Sequence, residues 1–396
     1  MAVGLYVTNR CNLNCRYCFN WENGPSPGGT DLALDKICQI LDAVRETGQR
    51  YLTITGGEPF LHPDIFAIID HTHDLGFLIN ILTNGLLLDE AQAQRLRNYC
   101  RLRIRVSLEG ATREGHEYFR GPDTFDRAVH ALEILQRHDI PVGIGFTVYP
   151  ENLREIEGIF RLAREKRCGF IRFTPMVRIR KGKLARAPGD LHGKSLERIV
   201  ALQLKYRDYL EFPGADTPGL SLPLEALLGK TCLAGCGFFA INPEGVILPC
   251  PLIRSDPAVF RKPFTGLADF AEMRRHMETF WKELAGRHPG ACGTCGFREN
   301  CGGGCPAEKL SFDRDLHAEQ PVCYEKILRE LDRKFGAQID FLKKSWISRI
   351  IANPEDQNGL CWRQAPFWWV LFPTHRGRPR LGPDAKLASL EHLVKS

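Results

Sequence analysis

The sequence has no apolar run long enough to cross a membrane, so we expect no transmembrane helix. Its first residues, MAVGLYVTNR, lack the charged region, apolar run and cleavage site of a signal peptide. Tandem repeats and low-complexity blocks are lacking as well. Neither sign of charge predominates, because the chain has 53 Lys and Arg and 47 Asp and Glu. This mildly basic balance does not indicate a nucleic-acid partner. We therefore expect a cytoplasmic protein whose partners are neither membranes nor nucleic acids.

The chain does have a large apolar content and many cysteines. Its 396 residues are 43% apolar and 25% charged, which predicts a soluble globular protein with a large core and two domains. Fifteen cysteines is a high and odd number for this length. Without an export signal the thiols stay reduced, so metal binding is favoured over disulfides.

Short apolar runs alternate with amphipathic stretches over the first half, which predicts βαβ units and a parallel sheet. The predicted strands are Val3–Thr8, Tyr51–Thr55, Phe77–Thr83, Leu102–Ser107, Val142–Val148 and Phe170–Thr174. The predicted helices are Leu34–Thr47, Pro63–His73, Asp89–Tyr99, Thr124–His138 and Asn152–Lys166. Six such units make a partial (β/α)6 TIM-like barrel of the α/β class, with its reactive groups at the carboxyl ends of the strands.

Helical periodicity also predicts that one cysteine, Cys38, is a buried residue of the core. Cys38 lies on the apolar face that Ile37, Leu41 and Val44 form in the first predicted helix. We therefore expect Cys38 in the core, as a small buried thiol.

Cys11, Cys15 and Cys18, in the run CNLNCRYC, directly follow the first predicted strand. Three thiolates at this spacing can hold three irons of a cubane iron–sulfur cluster. The fourth iron then lacks a protein ligand and can bind a small molecule, and an open position of this kind is typical of a catalytic metal site.

The spacing C-x3-C-x2-C, with an aromatic residue before the last cysteine, resembles the radical S-adenosylmethionine (SAM) enzymes over residues 1–180. The resemblance implies that Cys11, Cys15 and Cys18 ligate a 4Fe–4S cluster whose fourth iron chelates the amine and carboxylate of SAM. One electron then cleaves the sulfonium, and the resulting 5′-deoxyadenosyl radical takes a hydrogen atom from the substrate. The cofactor carries this chemistry, and the protein positions and shields it.

Further residues match motifs of the same family. The run Gly56, Gly57, Glu58 and Pro59 matches the GGEP motif that binds the SAM amino group, because glycines allow close backbone approach and a carboxylate accepts from an ammonium. A plain strand-to-helix turn is the alternative interpretation. By resemblance, the other SAM contacts are Ser107 and Arg120 for its carboxylate, Tyr17 near the adenine and Asn84 near the ribose.

A second dense cysteine pattern, between residues 228 and 330, resembles the SPASM domain that follows the barrel in some radical SAM enzymes. The resemblance implies two auxiliary 4Fe–4S clusters, and so three clusters in all. Structural zinc is the alternative for this region. Two alternatives stay open for Cys236: it is a ligand of the first auxiliary cluster, or that cluster has an iron able to bind substrate. The implied ligands are Cys232, Cys236, Cys250 and Cys305 for one cluster and Cys292, Cys295, Cys301 and Cys323 for the other.

The predicted organisation has four parts: the barrel at 1–190, a bridging helix and linker at 191–227, a small cysteine-rich SPASM domain at 228–335, and an aromatic-rich C-terminal tail at 336–396. The tail contains four of the six tryptophans beside the run HRGRPRLG. It is either a lid or docking surface for a hydrophobic substrate or partner, or a segment that packs on the SPASM domain. These tryptophans are Trp346, Trp362, Trp368 and Trp369.

The substrate is the part of the function that these motifs specify least. A ribosomally made peptide is the first hypothesis, with crosslinking, epimerisation or oxidation as the outcome. Pro251 stands where sulfatase-maturing relatives have an aspartate, which disfavours that activity. The first strand begins almost at Met1, so we expect no N-terminal leader-binding domain and either a separate peptide-recognition protein or direct docking. The resemblance also implies an external electron donor such as flavodoxin or ferredoxin.

Two alternatives stay open at this point. A small-molecule substrate, such as a tetrapyrrole side chain, a sugar or a cofactor precursor, would use the same radical chemistry. A non-catalytic iron–sulfur or zinc protein would cleave no SAM. The sequence assigns no general acid or base.

Overall fold

The computed structural model describes nearly all of the first 175 residues and shorter pieces beyond them. The predicted tail and most of the predicted linker lie outside the described residues. The described residues are 2–18, 20, 29–175, 197–202, 205, 234–235, 238–253, 259–286, 293–295, 305–307, 309 and 323–336.

Six parallel strands confirm the predicted partial barrel of the α/β class. They lie side by side in the order β6-β5-β4-β3-β2-β1. Each strand begins and ends within one or two residues of the prediction, because the apolar runs that define it are short and bounded by turns. Their bounds are β1 Ala2–Thr8, β2 Tyr51–Gly56, β3 Leu78–Thr83, β4 Leu102–Ser107, β5 Val142–Val148 and β6 Phe170–Pro175.

Helices connect these strands, and one of them was not predicted. Helix α4, Arg113–Arg120, precedes the predicted helix α5. Thr112 caps its N-terminus, because the Thr112 side chain accepts a hydrogen bond from the Gly115 backbone. A 3-10 turn, Pro150–Glu155, replaces the first residues of the helix predicted from Asn152. The helix bounds are α1 Leu34–Glu46, α2 Ile65–Asp74, α3 Glu90–Leu96, α4 Arg113–Arg120, α5 Phe125–Arg137 and α6 Ile156–Glu165.

The cysteine-rich half continues the barrel sheet, which the sequence did not predict. Strand β7, Phe238–Ile241, pairs in parallel with β1, so that Ala2 lies opposite Phe238. Strand β8, Val246–Leu248, pairs with β7 in antiparallel fashion, and the short β9, Lys262–Pro263, pairs with β8. Two helices, α7 at Ala268–Gly286 and α8 at Tyr324–Phe335, follow these strands. No helix in the described portion of the chain is long and apolar enough to span a bilayer.

The core of the barrel lies between the sheet and its helices. On helix α1, Ile37, Leu41 and Val44 are fully buried, as their spacing predicts. Cys38 lies beside this face and is partly exposed, so the prediction that it belongs to the core is wrong. The helix turns by about 100° per residue, so Cys38 lies about 100° around the helix axis from Ile37, outside the side of the helix by which Ile37 contacts the sheet.

Replacement of Ile104 tests the packing of this core. Ile104 lies in the middle of β4 and is 0% exposed. We expect Ile104→Ala to lower the free energy of unfolding by about 2–5 kcal/mol, because it removes buried methyl groups and leaves a cavity. Leu267, which is 43% exposed, is the control, and Leu267→Ala should change stability little. Urea unfolding followed by tryptophan fluorescence measures both, and equal losses would contradict this account of the core.

Candidate active site

The predicted site residues of the barrel lie at the carboxyl ends of its strands, where reactive groups of such folds are found. The cluster loop, residues 9–18, follows β1. The glycine loop, residues 56–59, begins at the last residue of β2, and Asn84 follows β3. Ser107 is the last residue of β4. Parallel strands bring these loops to one edge of the sheet.

Backbone hydrogen bonds join the cluster loop to the glycine loop. The Gly57 N–H donates to the Thr8 carbonyl at 2.8 Å, and the Glu58 N–H donates to the Arg10 carbonyl at 2.8 Å. A Cβ atom at Gly57 would lie 2.0 Å from the Arg10 oxygen. The close backbone approach that the glycines allow is therefore an approach to the loop that bears the cysteines.

Arg10 anchors the same loop from its other side. Its Nε donates to Asp31 Oδ1 at 3.0 Å, and its Nη2 donates to the Leu61 carbonyl at 2.5 Å. The guanidinium thus ties the cluster loop to the segment before α1 and to the 3-10 turn Pro59–Leu61, which Pro59 begins.

Glu58 is a buried carboxylate at the base of the glycine loop. Its Oε1 accepts from the Thr83 hydroxyl at 2.7 Å, and its Oε2 accepts from the Asn84 backbone at 2.8 Å. Burial raises the pKa of Glu58 to about 7, although these hydrogen bonds oppose the rise. The Asn84 side chain in turn donates from Nδ2 to Asn12 Oδ1 at 2.7 Å and so links the third loop to the cluster loop.

Arg120 lies behind the cluster loop and is paired with a carboxylate that the sequence analysis missed. Its Nη2 donates to Glu109 Oε1 at 2.8 Å, and its Nη1 lies 4.0 Å from Cys15 Sγ. Burial alone would lower the pKa of Arg120, but Tyr17, Cys15 and Glu109 raise it well above its ordinary value. A permanent positive charge therefore lies beside the Cys15 sulfur.

Glu109 contacts three other segments of the site: helix α4, the cluster loop and strand β5. Besides Arg120, its carboxylate accepts from the Tyr17 hydroxyl and from the Thr147 backbone, the latter at 2.6 Å. The Glu109 backbone N–H donates to His116 Nδ1 at 3.2 Å, and burial lowers the pKa of His116 to about 3, which keeps the imidazole neutral. The available signal in the sequence was an acid two residues past the end of β4 and eleven before Arg120.

Tyr17 lies within an aromatic group. Its ring centroid is 4.9 Å from that of Tyr149 and 6.0 Å from that of Phe119, while Phe119 and Tyr149 stack at 4.5 Å. Burial raises the pKa of Tyr17 well above its usual value, so the hydroxyl stays protonated and donates to Glu109. The residue expected near the adenine is thus held in place by packing and by a hydrogen bond.

The three cysteines of the loop suit a cluster of thiolate-bound irons. Cys11 Sγ accepts from the Leu13 backbone N–H at 3.4 Å, and Cys15 Sγ is approached by Arg120. Donors directed at sulfur are the contacts that stabilise cluster thiolates. Burial raises the pKa of the Cys11 thiol to about 12, so iron must displace its proton. Among the described residues no three His, Cys, Asp or Glu side chains converge on a single-ion site.

The structure describes half of the predicted auxiliary ligands. Cys250 follows β8 and packs against the core, and Cys305 is buried within it. Cys295 is partly exposed, and Cys323 is exposed immediately before α8. The other four, Cys232, Cys236, Cys292 and Cys301, lie outside the described residues.

A parallel α/β partial barrel with a three-cysteine loop after its first strand defines a class of metalloenzymes. The sequence model described as the Radical SAM superfamily matches residues 5–163. The AdoMet-dependent heme synthase of Methanosarcina barkeri is 30% identical over 341 residues, which cover 80% of this chain and 94% of that protein. The chain belongs to the radical SAM superfamily and is an enzyme.

Two further comparisons agree with this assignment. The PqqA peptide cyclase of Bradyrhizobium diazoefficiens is 24% identical over 381 residues, which cover 90% of this chain and 96% of that protein. The solved structure of native anSMEcpe with bound AdoMet has a TM-score of 0.67 at 20% identity and covers 86% of this chain and 98% of that one. The fold thus extends beyond the barrel into the cysteine-rich half.

Replacement of Gly57 tests the contact between the two loops. A methyl group there collides with the Arg10 carbonyl, so we expect Gly57→Ala to displace the cluster loop and to reduce the iron bound at it by more than half. Gly266 has no atom within 4 Å of its Cβ position, and Gly266→Ala should bind iron like the parent. Iron analysis after anaerobic reconstitution measures both variants. Equal iron in Gly57→Ala and the parent would show that the loops do not depend on this contact.

Replacement of Glu109 tests the buried ion pair. Its side chain is 1% exposed and that of Arg120 is 11% exposed. Glu109→Gln leaves an uncompensated buried guanidinium, and we expect a loss of about 3–5 kcal/mol in the free energy of unfolding. The matched control is Glu90→Gln, since Glu90 forms exposed ion pairs with Arg137 and His138, and it should have little effect. Urea unfolding distinguishes them, and a neutral Glu109→Gln would refute the role given to this pair.

Proposed function

We propose that this enzyme cleaves SAM reductively at a 4Fe–4S cluster held by Cys11, Cys15 and Cys18 and uses the radical to modify a peptide. The observation that carries the proposal is that the cluster loop is hydrogen-bonded to the glycine loop and contacts Arg120. These contacts bring the cysteines together with residues matched to the SAM motifs. When bound, the cluster and SAM supply one-electron cleavage of the sulfonium to methionine and a 5′-deoxyadenosyl radical, which takes a hydrogen atom from the substrate.

The residues of the barrel bind and orient SAM in this proposal. Glu58 and the backbone of Gly56 and Gly57 receive the ammonium group. Ser107 and the Nη1 edge of Arg120 receive the carboxylate, while Glu109 holds the opposite edge of the same guanidinium. The remaining proposed contacts are Pro59, which shapes the glycine loop, Tyr17 beside the adenine and Asn84 beside the ribose.

Two auxiliary 4Fe–4S clusters complete the proposal, with the ligand sets that the SPASM resemblance implies. Cys250 and Cys305 belong to one set; Cys250 packs against the hydrophobic core, and Cys305 is buried in it. Cys295 and Cys323 belong to the other set. Flavodoxin or ferredoxin is the proposed class of external electron donor. With Cys-only ligation of three clusters we expect roughly twelve irons per chain, whereas about four irons with bound zinc would overturn this part.

The peptide substrate is supported by the PqqA peptide cyclase, which matches this chain over nearly its whole length. A separate peptide-recognition protein is the proposed partner. A tetrapyrrole is the second candidate substrate, and it is favoured by the similarity to the AdoMet-dependent heme synthase. Product analysis after incubation with a precursor peptide or with a porphyrin decides between them.

Replacement of Cys15 tests the radical chemistry. We expect Cys15→Ala to abolish formation of 5′-deoxyadenosine from SAM and dithionite under anaerobic conditions and to keep about eight irons per chain, those of the auxiliary clusters. Cys38→Ala is the control, because Cys38 lies on α1 outside the site, and it should retain activity. Absence of 5′-deoxyadenosine in the parent enzyme would refute the proposed function. Loss of all iron in Cys15→Ala would show that the sites fold cooperatively.

A further inference from the structure

Two hydrogen bonds hold the cluster loop against the carboxyl-terminal end of helix α4. The backbone N–H of Arg16 donates to the carbonyl of Phe119, in the last turn of the helix, at 2.9 Å. The hydroxyl of Tyr17 donates to Glu109, which is bound to the same helix end through its ion pair. Both contacts come directly after Cys15 in the chain, so they keep the Cys15 sulfur beside the end of α4.

The guanidinium of Arg120, the last residue of this helix, has donors directed at two acceptors. Its Nε and Nη2 donate to Glu109 Oε1 at 3.3 Å and 2.8 Å. Its remaining nitrogen, Nη1, donates to Cys15 Sγ at 4.0 Å. A guanidinium has five N–H bonds, so these three contacts leave two for a further acceptor. Arg120 can therefore donate to the Cys15 sulfur and to the carboxylate of SAM with different N–H groups.

The charges of this group lie away from water. Glu109 and Cys15 are buried, and the Arg120 side chain is 11% exposed. Electrostatic interactions are stronger in such surroundings than in solvent. Because Glu109 occupies the Nε and Nη2 edge, the edge directed at the sulfur is the one that lies away from the carboxylate. The ion pair is thus a dipole whose positive end points at Cys15.

We infer that Arg120 raises the reduction potential of the cluster through its contact with the Cys15 sulfur, an inference that rests on the proposed function. Reduction transfers one electron from the external donor to the cluster and breaks no bond. The added negative charge is shared with the cysteine sulfurs, so a positively charged N–H donor at one of them stabilises the reduced state more than the oxidised state. Net charge and hydrogen bonds to the sulfurs are the factors by which a protein sets such a potential. Arg120 therefore makes the SAM-free cluster easier to reduce, in addition to its proposed contact with SAM.

A redox titration of the SAM-free enzyme tests this inference. The parent, Arg120→Gln and Arg120→Lys are reconstituted anaerobically with iron and sulfide and titrated with dithionite, and the reduced clusters are followed by electron paramagnetic resonance. The site cluster is identified in the parent as the one whose signal changes when SAM is added. We expect Arg120→Gln to lower its potential by at least 59 mV, a tenfold change in a one-electron equilibrium.

Arg120→Lys is the variant that keeps the buried ion pair. Arg120→Gln leaves the Glu109 carboxylate without its cation, which is costly in the interior, whereas lysine can still pair with it. The lysine ammonium is compact and lacks the planar fork that spans Glu109 and the sulfur. We therefore expect Arg120→Lys to lower the potential by less than Arg120→Gln. Iron content and thermal unfolding of each variant report whether it has folded.

Arg113→Gln is the matched control, because it makes the same substitution on the same helix. The Arg113 side chain is 55% exposed and pairs with Asp126 at the surface. Solvent screens exposed charges, so the potential should stay at the parental value. A fall in Arg113→Gln as large as that in Arg120→Gln would mean that the position of the guanidinium is immaterial, and it would overturn the inference.

The remaining outcomes separate this inference from the proposed function. Parental potential in an Arg120→Gln enzyme that binds iron like the parent overturns the inference alone. If that variant does not bind the site cluster, Arg120→Lys decides: a lowered potential supports the inference, and a parental one overturns it. The readout requires no turnover. A parent enzyme in which no cluster signal responds to SAM would instead refute the proposed function.

Discussion

The buried carboxylate of Glu109 is the constraint on which the arrangement of the site depends. It holds Arg120 at the end of α4, accepts the hydroxyl of Tyr17 from the cluster loop and accepts a backbone N–H from β5. Burial of a carboxylate is costly unless its hydrogen bonds are satisfied, and here each of its oxygens has a donor. Because the donors come from separate segments, the full set of hydrogen bonds to Glu109 forms only when strand, helix and loop are all in place. It thus couples folding of the barrel to the position of the charge beside Cys15.

The sequence predicted the six barrel strands and the family well, because both depend on local patterns. Strands such as β4 and β5 are short apolar runs with clear ends, and CNLNCRYC is a spacing of residues close in the chain. Helix α4 was missed since its eight residues, REGHEYFR, are mostly polar and include a glycine. The pairing of β7 with β1 joins residues more than two hundred positions apart, and no local pattern signals it. Glu109 was missed for the same reason, because its role depends on partners from three segments.

The two halves of the chain share one sheet, and this bears on how their chemistry is connected. Strand β1 leads directly into the cluster loop at its carboxyl end. Along its two edges it pairs with β2 and with β7. Strand β8, which pairs with β7, leads to Cys250. Loops that carry cysteines therefore extend from strands of a single hydrogen-bonded sheet, whose geometry is rigid compared with a flexible linker. The cluster loop and the segment that bears Cys250 are consequently connected through the paired strands β1, β7 and β8.

Pairing of β7 with β1 also affects the solubility of the enzyme. An uncovered β1 would present a row of unpaired N–H and C=O groups beside Val3, Leu5 and Val7, which is the type of edge on which aggregation begins. The hairpin of β7 and β8 covers that edge and replaces it with the short β9. Oxygen damage that unfolds the cysteine-rich half would therefore expose the aggregation-prone edge of β1 in an otherwise intact barrel. Air-exposed preparations would then be lost by precipitation as well as by loss of iron.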